Sequence, residues 1–231
     1  MNREIIVTTD GSNSIAIPAM GVTYHSTHGA IQESMHVFIE SGLCFIKTIN
    51  SYPNTLSIFE MGFGTGLNAL LTVADAAMTS QFIYYETIEI HPLETDIALS
   101  LNYCDQLNRP DLKTLFTQMH QCEWDIAIAL TPFFTFKKMK TGLAEYIPSR
   151  LFNIIYFDAF APEIQPDLWT VTVFKKLYHA MEENAVLTTY CSKSIVRKAM
   201  AEAGMQVEKI PGPPHKREMV RARKSSPMKL I

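Results

Sequence analysis

Long apolar runs are missing from this chain of 231 residues. No stretch approaches the roughly 18 apolar residues that a membrane helix needs, so no span is expected. Met1 to Asp10 hold no basic segment followed by an apolar one, and no secretory leader is expected. Cysteine is scarce. Cys44, Cys104, Cys122 and Cys191 lie far apart, without a CxxC pair or a zinc-ligand spacing, and read as reduced thiols of a cytoplasmic protein. His25 and His28 stand three residues apart with no third ligand in view, so structural or solvated roles are expected and no metal. Internal repeats and low-complexity tracts are absent, which excludes solenoids and disordered arrays.

What is present suits a packed globular protein: hydrophobic residues make up 47% and charged residues 19%. The length fits one large domain. Charge is unevenly placed. Residues 191–231 carry 10 Lys+Arg against 3 Asp+Glu, whereas residues 1–190 carry 10 against 20. A basic end on an acidic body reads either as a docking face for a polyanion or as a solvated tail.

Residues 1–50 read as a β-rich extension packed on the rest, with β-branched Ile5 to Val7, a turn at Asp10-Gly11-Ser12-Asn13, and a short helix within 30–40. Residues 51–231 alternate strands with helices. Strands are expected at 56–59, 82–90, 124–130, 152–157, 185–190 and 218–222, and helices at 67–78, 93–101, 170–181 and 194–203. Residues 133–150 read as an irregular excursion, and Pro211-Gly212-Pro213-Pro214 as a rigid turn. Such alternation predicts an open, mostly parallel α/β sheet with helices on both faces.

The sharpest local signal is Glu60-Met61-Gly62-Phe63-Gly64-Thr65-Gly66-Leu67-Asn68, between a buried strand and a helix. Ligands of open α/β sheets sit at the carboxyl ends of strands, where this loop lies. A dinucleotide fingerprint needs glycines at relative positions 1, 3 and 6, and position 6 from Gly62 is Leu67. The acid-x-Gly-x-Gly-x-Gly pattern instead resembles motif I of S-adenosylmethionine methyltransferases. A carboxylate at its start suits a sulfonium and an ammonium, not a pyrophosphate. Glu60, Gly62, Gly64, Thr65, Gly66 and Asn68 are therefore candidate cofactor contacts. Glu89, 23 residues beyond Gly66, suits ribose hydroxyls, and Glu86 competes from the opposite strand face.

A second strand runs into Asp158-Ala159-Phe160-Ala161-Pro162. A carboxylate there, before an aromatic and a stiff proline, suits an amine substrate, because only the unprotonated nitrogen attacks a methyl group. Asp158 is the candidate catalytic group. Phe160 and Pro162 are candidate base contacts, and capping of a following helix is the plainer role for Asp158. Ser192, after the strand ending at Tyr190, either lines the same pocket or caps the next helix.

Together, Glu60 to Asn68, Asp158 to Pro162 with Asp167-Leu168-Trp169, Lys216-Arg217-Glu218-Met219 and the upstream Glu33-Ser34-Met35-His36-Val37-Phe38 resemble the MnmC methyltransferase-domain family, whose stand-alone form is often called MnmD. The resemblance spans roughly residues 5–223. It implies a Rossmann-like class I fold and S-adenosyl-L-methionine as methyl donor. The implied substrate is the 5-aminomethyl group of wobble (2-thio)uridine in the tRNA anticodon loop, which becomes 5-methylaminomethyl-(2-thio)uridine. A functional link to the enzymes that install the aminomethyl precursor follows. The bifunctional members carry an FAD-dependent domain. With no second glycine fingerprint before Ile231, no FAD and no oxidase activity are expected here.

Two departures stand out. Ala159 replaces the glycine of the bifunctional members. The stretch Phe134 to Lys138, read as following the third strand, offers no carboxylate for an adenine amine and leaves that contact to backbone groups. Backbone phosphates need cations, and Lys193, Arg197, Lys216 and Arg217 are the candidates. Rival readings are a small-amine methyltransferase, an aminopropyltransferase on the same fold, and a non-catalytic RNA-binding module.

Overall fold

The computed structural model describes residues 2–49 and 53–224. The expected boundary at 50/51, Met1, and residues 225–231 of the basic end lie outside the described residues. The chain opens with a three-stranded antiparallel sheet, β1 (Glu4–Val7), β2 (Asn13–Ile17) and β3 (Val22–Thr23). A continuous helical rod follows: α1 (Ala30–Ser34), a wide π-helical stretch (Met35–Cys44) and α2 (Phe45–Thr48). The extension is thus β-rich only in its first half, and its helix runs to Thr48 where a short one within 30–40 was expected.

The main sheet has eight strands in the order β10-β11-β9-β8-β4-β5-β7-β6. Its central strands are β4 (Thr55–Met61), β5 (Phe82–Ile88), β7 (Phe134–Met139), β8 (Phe152–Phe157) and β9 (Met181–Thr189), all parallel where they pair. The near-continuous apolar run of β8 follows from burial on both faces. Antiparallel strands close the edges: β6 (Ile128–Thr131) on one side, β10 (Gln206–Pro211) and β11 (Glu218–Arg223) on the other.

Alternation along the strands sorts residues between two cores. Ile58, Tyr85, Phe136 and Tyr156 face the rod and α3 (Leu67–Thr79). Phe59, Ile155, Phe157 and Leu187 face α7 (Val171–Ala180) and α8 (Ser194–Glu202). Three shorter helices, α4 (Thr95–Leu99), α5 (Tyr103–Gln106) and α6 (Lys113–Gln121), lead into β6. Fully burying one such aromatic or aliphatic side chain contributes roughly 1.5–3 kcal/mol.

One expectation is overturned. Residues 133–150 are not simply an excursion, because Phe134–Met139 is an interior strand between β5 and β6. Two adjacent lysines hide it. Lys138 is buried and donates to the His120 carbonyl at 2.5 Å, over the Trp124 ring. Burial lowers its pKa. Lys137, on the other face, pairs with Glu86 at 3.5 Å. Long lysine stems cover apolar surface while their heads find partners. The residues after the third strand are therefore 140–142, not Phe134 to Lys138.

Candidate active site

Strand order reverses direction at β4, whose neighbours are β5 and β8, so loops leaving the carboxyl ends of β4 and β8 diverge. A cleft of about 910 Å³ opens there, within the size range of small-molecule sites. The loop after β4 forms its floor. Gly62 and Gly64 have φ of +91° and +50°, angles that side-chain-bearing residues rarely adopt. A Cβ on Gly62 would lie 3.1 Å from the Asp158 carbonyl oxygen, and one on Gly64 3.1 Å from the Tyr24 ring. The Gly62 and Phe63 amides both donate to the Ile88 carbonyl at 3.1 Å, and the Asp158 amide donates to the Met61 carbonyl at 3.2 Å. These bonds tie the tips of β4, β5 and β8 together.

The Asp158 carboxylate faces this loop. Asn68, in the first turn of α3, donates to its Oδ2 at 2.9 Å. Burial pushes the Asp158 pKa up to about 7; the Asn68 bond and the Lys216 charge oppose this, and the Glu33 charge adds to it. At neutral pH Asp158 is thus poised between carrying and releasing a proton. Its loop is braced from three sides. The Trp169 indole donates to the Phe160 carbonyl at 2.8 Å, Gln165 accepts from the Phe160 amide at 2.9 Å, and the Tyr190 hydroxyl donates to the Ala159 carbonyl at 2.8 Å. The Phe160 ring meets Tyr24 edge-on at 5.4 Å. Trp169→Phe keeps the ring and removes the indole donor. Turnover is expected to fall about tenfold with cofactor affinity unchanged, because 1 Å of misplacement suffices for such losses; steady-state kinetics alongside calorimetry checks this.

Among the sequence candidates, Gly62, Gly64, Thr65, Asn68, Glu89, Asp158, Phe160 and Lys216 line the cleft. Glu89 accepts from the Gly64 amide at 3.0 Å and the His91 amide at 2.8 Å. Its rival Glu86 is buried elsewhere, holding the Tyr84 and Tyr146 hydroxyls at 2.8 and 2.5 Å. Glu60 is not on the wall. It is fully buried beneath the loop, and burial raises its pKa to about 8, so it is mostly protonated at neutral pH. Gly66 starts α3 and packs against His120 and Phe63.

The remaining candidates sit off the cleft wall. Lys193 pairs with Glu163, Arg197 donates to the Ser192 carbonyl at 3.2 Å, Arg217 is exposed, and Pro162 and Ser192 are half-buried. Ser192 does not cap α8, whose N-cap is Lys193 with no side-chain bond. No helix follows Asp158 directly, so it caps none. His25 is buried against Ser14 with a pKa lowered to about 4 by burial, and His28 stacks on His215 at 4.2 Å. No three-residue cluster able to hold a metal occurs among the described residues.

Sequence reasoning missed Tyr24, Glu33, Thr141 and Tyr190, all on the wall. Glu33 and Tyr190 sat in or beside segments already singled out. Tyr24 and Thr141 carried no local signal.

S-adenosyl-L-methionine suits these residues. Gly62 and Gly64 leave backbone bare at the cleft floor, where a Cβ would crowd the Asp158 carbonyl or the Tyr24 ring, and the Asn68 Oδ1 acceptor is buried with no partner. Carboxylates at Glu89, Asp158 and Glu33 suit a cationic ligand.

Residues 112–225 match a family described as S-adenosyl-L-methionine-dependent methyltransferase. Among known proteins, the chain is 30% identical over 233 residues to the tRNA 5-methylaminomethyl-2-thiouridine biosynthesis bifunctional protein MnmC of Burkholderia multivorans, covering 90% of this chain and 33% of that protein. It is 30% identical over 217 residues to MnmC of Ralstonia nicotianae, covering 85% and 31%. The chain thus spans about a third of the length of these relatives. The crystal structure of MnmC2 from Aquifex aeolicus superposes with a TM-score of 0.77 at 20% identity, covering 98% of this chain and 72% of that one. Spermidine synthase from Thermotoga maritima shares the fold at a TM-score of 0.57 and 13% identity, over 98% and 69%.

The fold is the Rossmann-like one of class I S-adenosyl-L-methionine-dependent methyltransferases, the family that residues 112–225 match. Within that class, the relatives it resembles are MnmC proteins, of which it spans about a third. No helix among the described residues is long and apolar enough to cross a membrane.

Proposed function

We propose that this chain methylates the 5-aminomethyl group of wobble (2-thio)uridine in tRNA, giving 5-methylaminomethyl-(2-thio)uridine, as an MnmD-type methyl transfer that uses no metal. The observation that carries this reading is the Asp158 carboxylate, held by Asn68 of the glycine-loop helix and so aimed at the cofactor cradle. A relative named for 5-methylaminomethyl-2-thiouridine biosynthesis, aligned over 90% of the chain, supports the substrate.

Gly62, Gly64, Thr65 and Asn68 would hold the methionine part of the cofactor, Glu89 its ribose, and the segment at Thr141 its adenine. When bound, S-adenosyl-L-methionine supplies an electrophilic methyl group on a sulfonium. Asp158 accepts a hydrogen bond from the substrate ammonium and takes one proton from it, which exposes the nitrogen lone pair. The carboxyl, now neutral, still accepts an N–H of the amine, which holds the nitrogen in line with its lone pair free. The nitrogen gains one methyl group, and its surplus proton leaves through the open cleft.

The wobble base must leave its stack to reach this depth, with Phe160 and Tyr24 as the aromatic faces that receive it. Pro162, two residues after Phe160, and Ser192, two after Tyr190, are the further base contacts. Lys193, Arg197 and Arg217 are the cations for the anticodon-loop phosphates. Lys216 is set apart from them by its place inside the cleft. A tRNA substrate implies a cytoplasmic protein, functionally linked to the enzymes that install the aminomethyl precursor.

Mass spectrometry of wobble nucleosides tests this. Incubation of aminomethyl-bearing tRNA with the protein and S-adenosyl-L-methionine is expected to add one methyl group to 5-aminomethyluridine. Methyl gain only on a free amine added alongside would replace the tRNA reading with the small-amine one.

A further inference from the structure

Two segments singled out in the sequence meet in the cleft, yet the mechanism above uses neither. Glu33 stands on α1, and Lys216 on the loop between β10 and β11, 183 residues later. Lys216 Nζ donates to Glu33 Oε1 at 2.5 Å and lies 4.4 Å over the Tyr190 ring. The other carboxylate oxygen, Oε2, accepts from the Ser26 amide at 2.8 Å, and the Glu33 side chain is only 11% exposed. Both residues line the cleft beside Asp158, and both act on its charge, Glu33 raising its pKa and Lys216 lowering it.

Arg3, Glu89 and Lys140 also line the cleft, but the charges that act on Asp158 are those of Glu33 and Lys216. With Asp158 ionised, this group of three holds two carboxylates and one ammonium, and lacks one positive charge. A protonated aminomethyl group supplies that charge. An amine that also bears a carboxymethyl group arrives with no net charge and adds a third carboxylate beside Glu33. Like charges in a partly dehydrated cleft repel far more strongly than in water.

We propose that Glu33, held against Lys216, is a specificity-determining residue that selects a cationic acceptor amine and rejects one carrying a carboxylate. The proposal rests on the amine-methylation reading above. Glu33 recognises the net charge of the acceptor, while Asp158 handles its proton. Lys216 keeps the wall from holding two unbalanced carboxylates, which would favour protonation of Asp158.

The test compares tRNA bearing 5-aminomethyluridine with tRNA bearing 5-carboxymethylaminomethyluridine, using the wild type, Glu33→Gln and Lys216→Met. Calorimetry with S-adenosylhomocysteine first verifies that each variant is folded. Wild type is expected to prefer the aminomethyl tRNA at least about 100-fold in kcat/KM. Glu33→Gln should raise KM for it about tenfold, leave kcat nearly unchanged and cut the preference about tenfold.

The pH–rate midpoint supplies a readout that a merely structural role would not move. It should fall in Glu33→Gln and rise in Lys216→Met, because the two lost charges have opposite signs. An unchanged preference in Glu33→Gln, or midpoints that move the same way in both variants, overturns the proposal. If Glu33→Gln does not fold, an unmoved midpoint in Lys216→Met overturns it instead. Failure of the wild type to methylate either tRNA removes the underlying function, and this proposal with it.

Discussion

Asp158→Asn is expected to lower methyl transfer at least about 10³-fold while leaving cofactor affinity within about threefold. Asparagine fits the same space and still accepts the Asn68 amide, which donates to Oδ2 at 2.9 Å. It cannot take a proton from the substrate ammonium, and positioned acid–base groups contribute typically 10²–10⁴-fold. Single-turnover kinetics at saturating cofactor, paired with calorimetry, measures both quantities.

The pKa of Asp158, raised from 3.8 to about 7 by burial, fixes two further signs. Only the ionised carboxylate accepts the proton, so wild-type kcat/KM should climb with pH through about 7, and the residual activity of Asp158→Asn should not show that rise. For stability, the folded state binds more protons than the unfolded state between about 4 and 7. The contribution of Asp158 is thus complete below about 4 and lost as pH rises through about 7. Over that window the thermal midpoint of Asp158→Asn should gain on the wild type, then hold a constant lead above it. A lead that shrinks with rising pH would show that Asp158 is not buried as described.

Gly62→Ala should weaken cofactor binding about 100-fold. Its φ of +91° strains any residue with a Cβ, and the added atom would stand 3.1 Å from the Asp158 carbonyl oxygen. That contact is with backbone, so the loop after β4 must move away from the tip of β8. The cradle and the Asp158 carboxylate then lose register together, and kcat should fall along with affinity. Strain of this kind costs roughly 1–3 kcal/mol, so the variant should remain folded with a lowered thermal midpoint. Calorimetry with S-adenosylhomocysteine, beside a thermal scan, separates lost binding from lost folding.

These effects trace to features of uneven legibility. The β4–glycine loop–α3 unit was readable because a buried strand, three glycines and an apolar helix fall within one local stretch. Glu89 was separable from Glu86 by its place nearer the strand end, and the structure puts only Glu89 on the cleft. Glu60 lies beneath the loop and not on the cleft wall. Its position suggested a ligand contact, yet the period of two puts it on the face of Leu56 and Ile58, which is buried.

The strand Phe134–Met139 was hidden because two adjacent lysines break its apolar run, and only tertiary partners, Glu86 and the His120 carbonyl, explain where their ammonium groups go. The rod from Ala30 to Thr48 outran its expected length because packing against the sheet, not local propensity, sustains it. The pairing of Glu33 with Lys216 is a contact across 183 residues, and no local pattern encodes such a meeting.

The central claim is that the cofactor cradle and Asp158 share one cleft at the tips of β4, β5 and β8. A crystal structure of the complex with S-adenosylhomocysteine tests it most directly. The account predicts the homocysteine part on Gly62 and Gly64, the ribose hydroxyls on Glu89, and the sulfur turned toward Asp158. A ligand seated elsewhere, or a sulfur pointing away from Asp158, would contradict it.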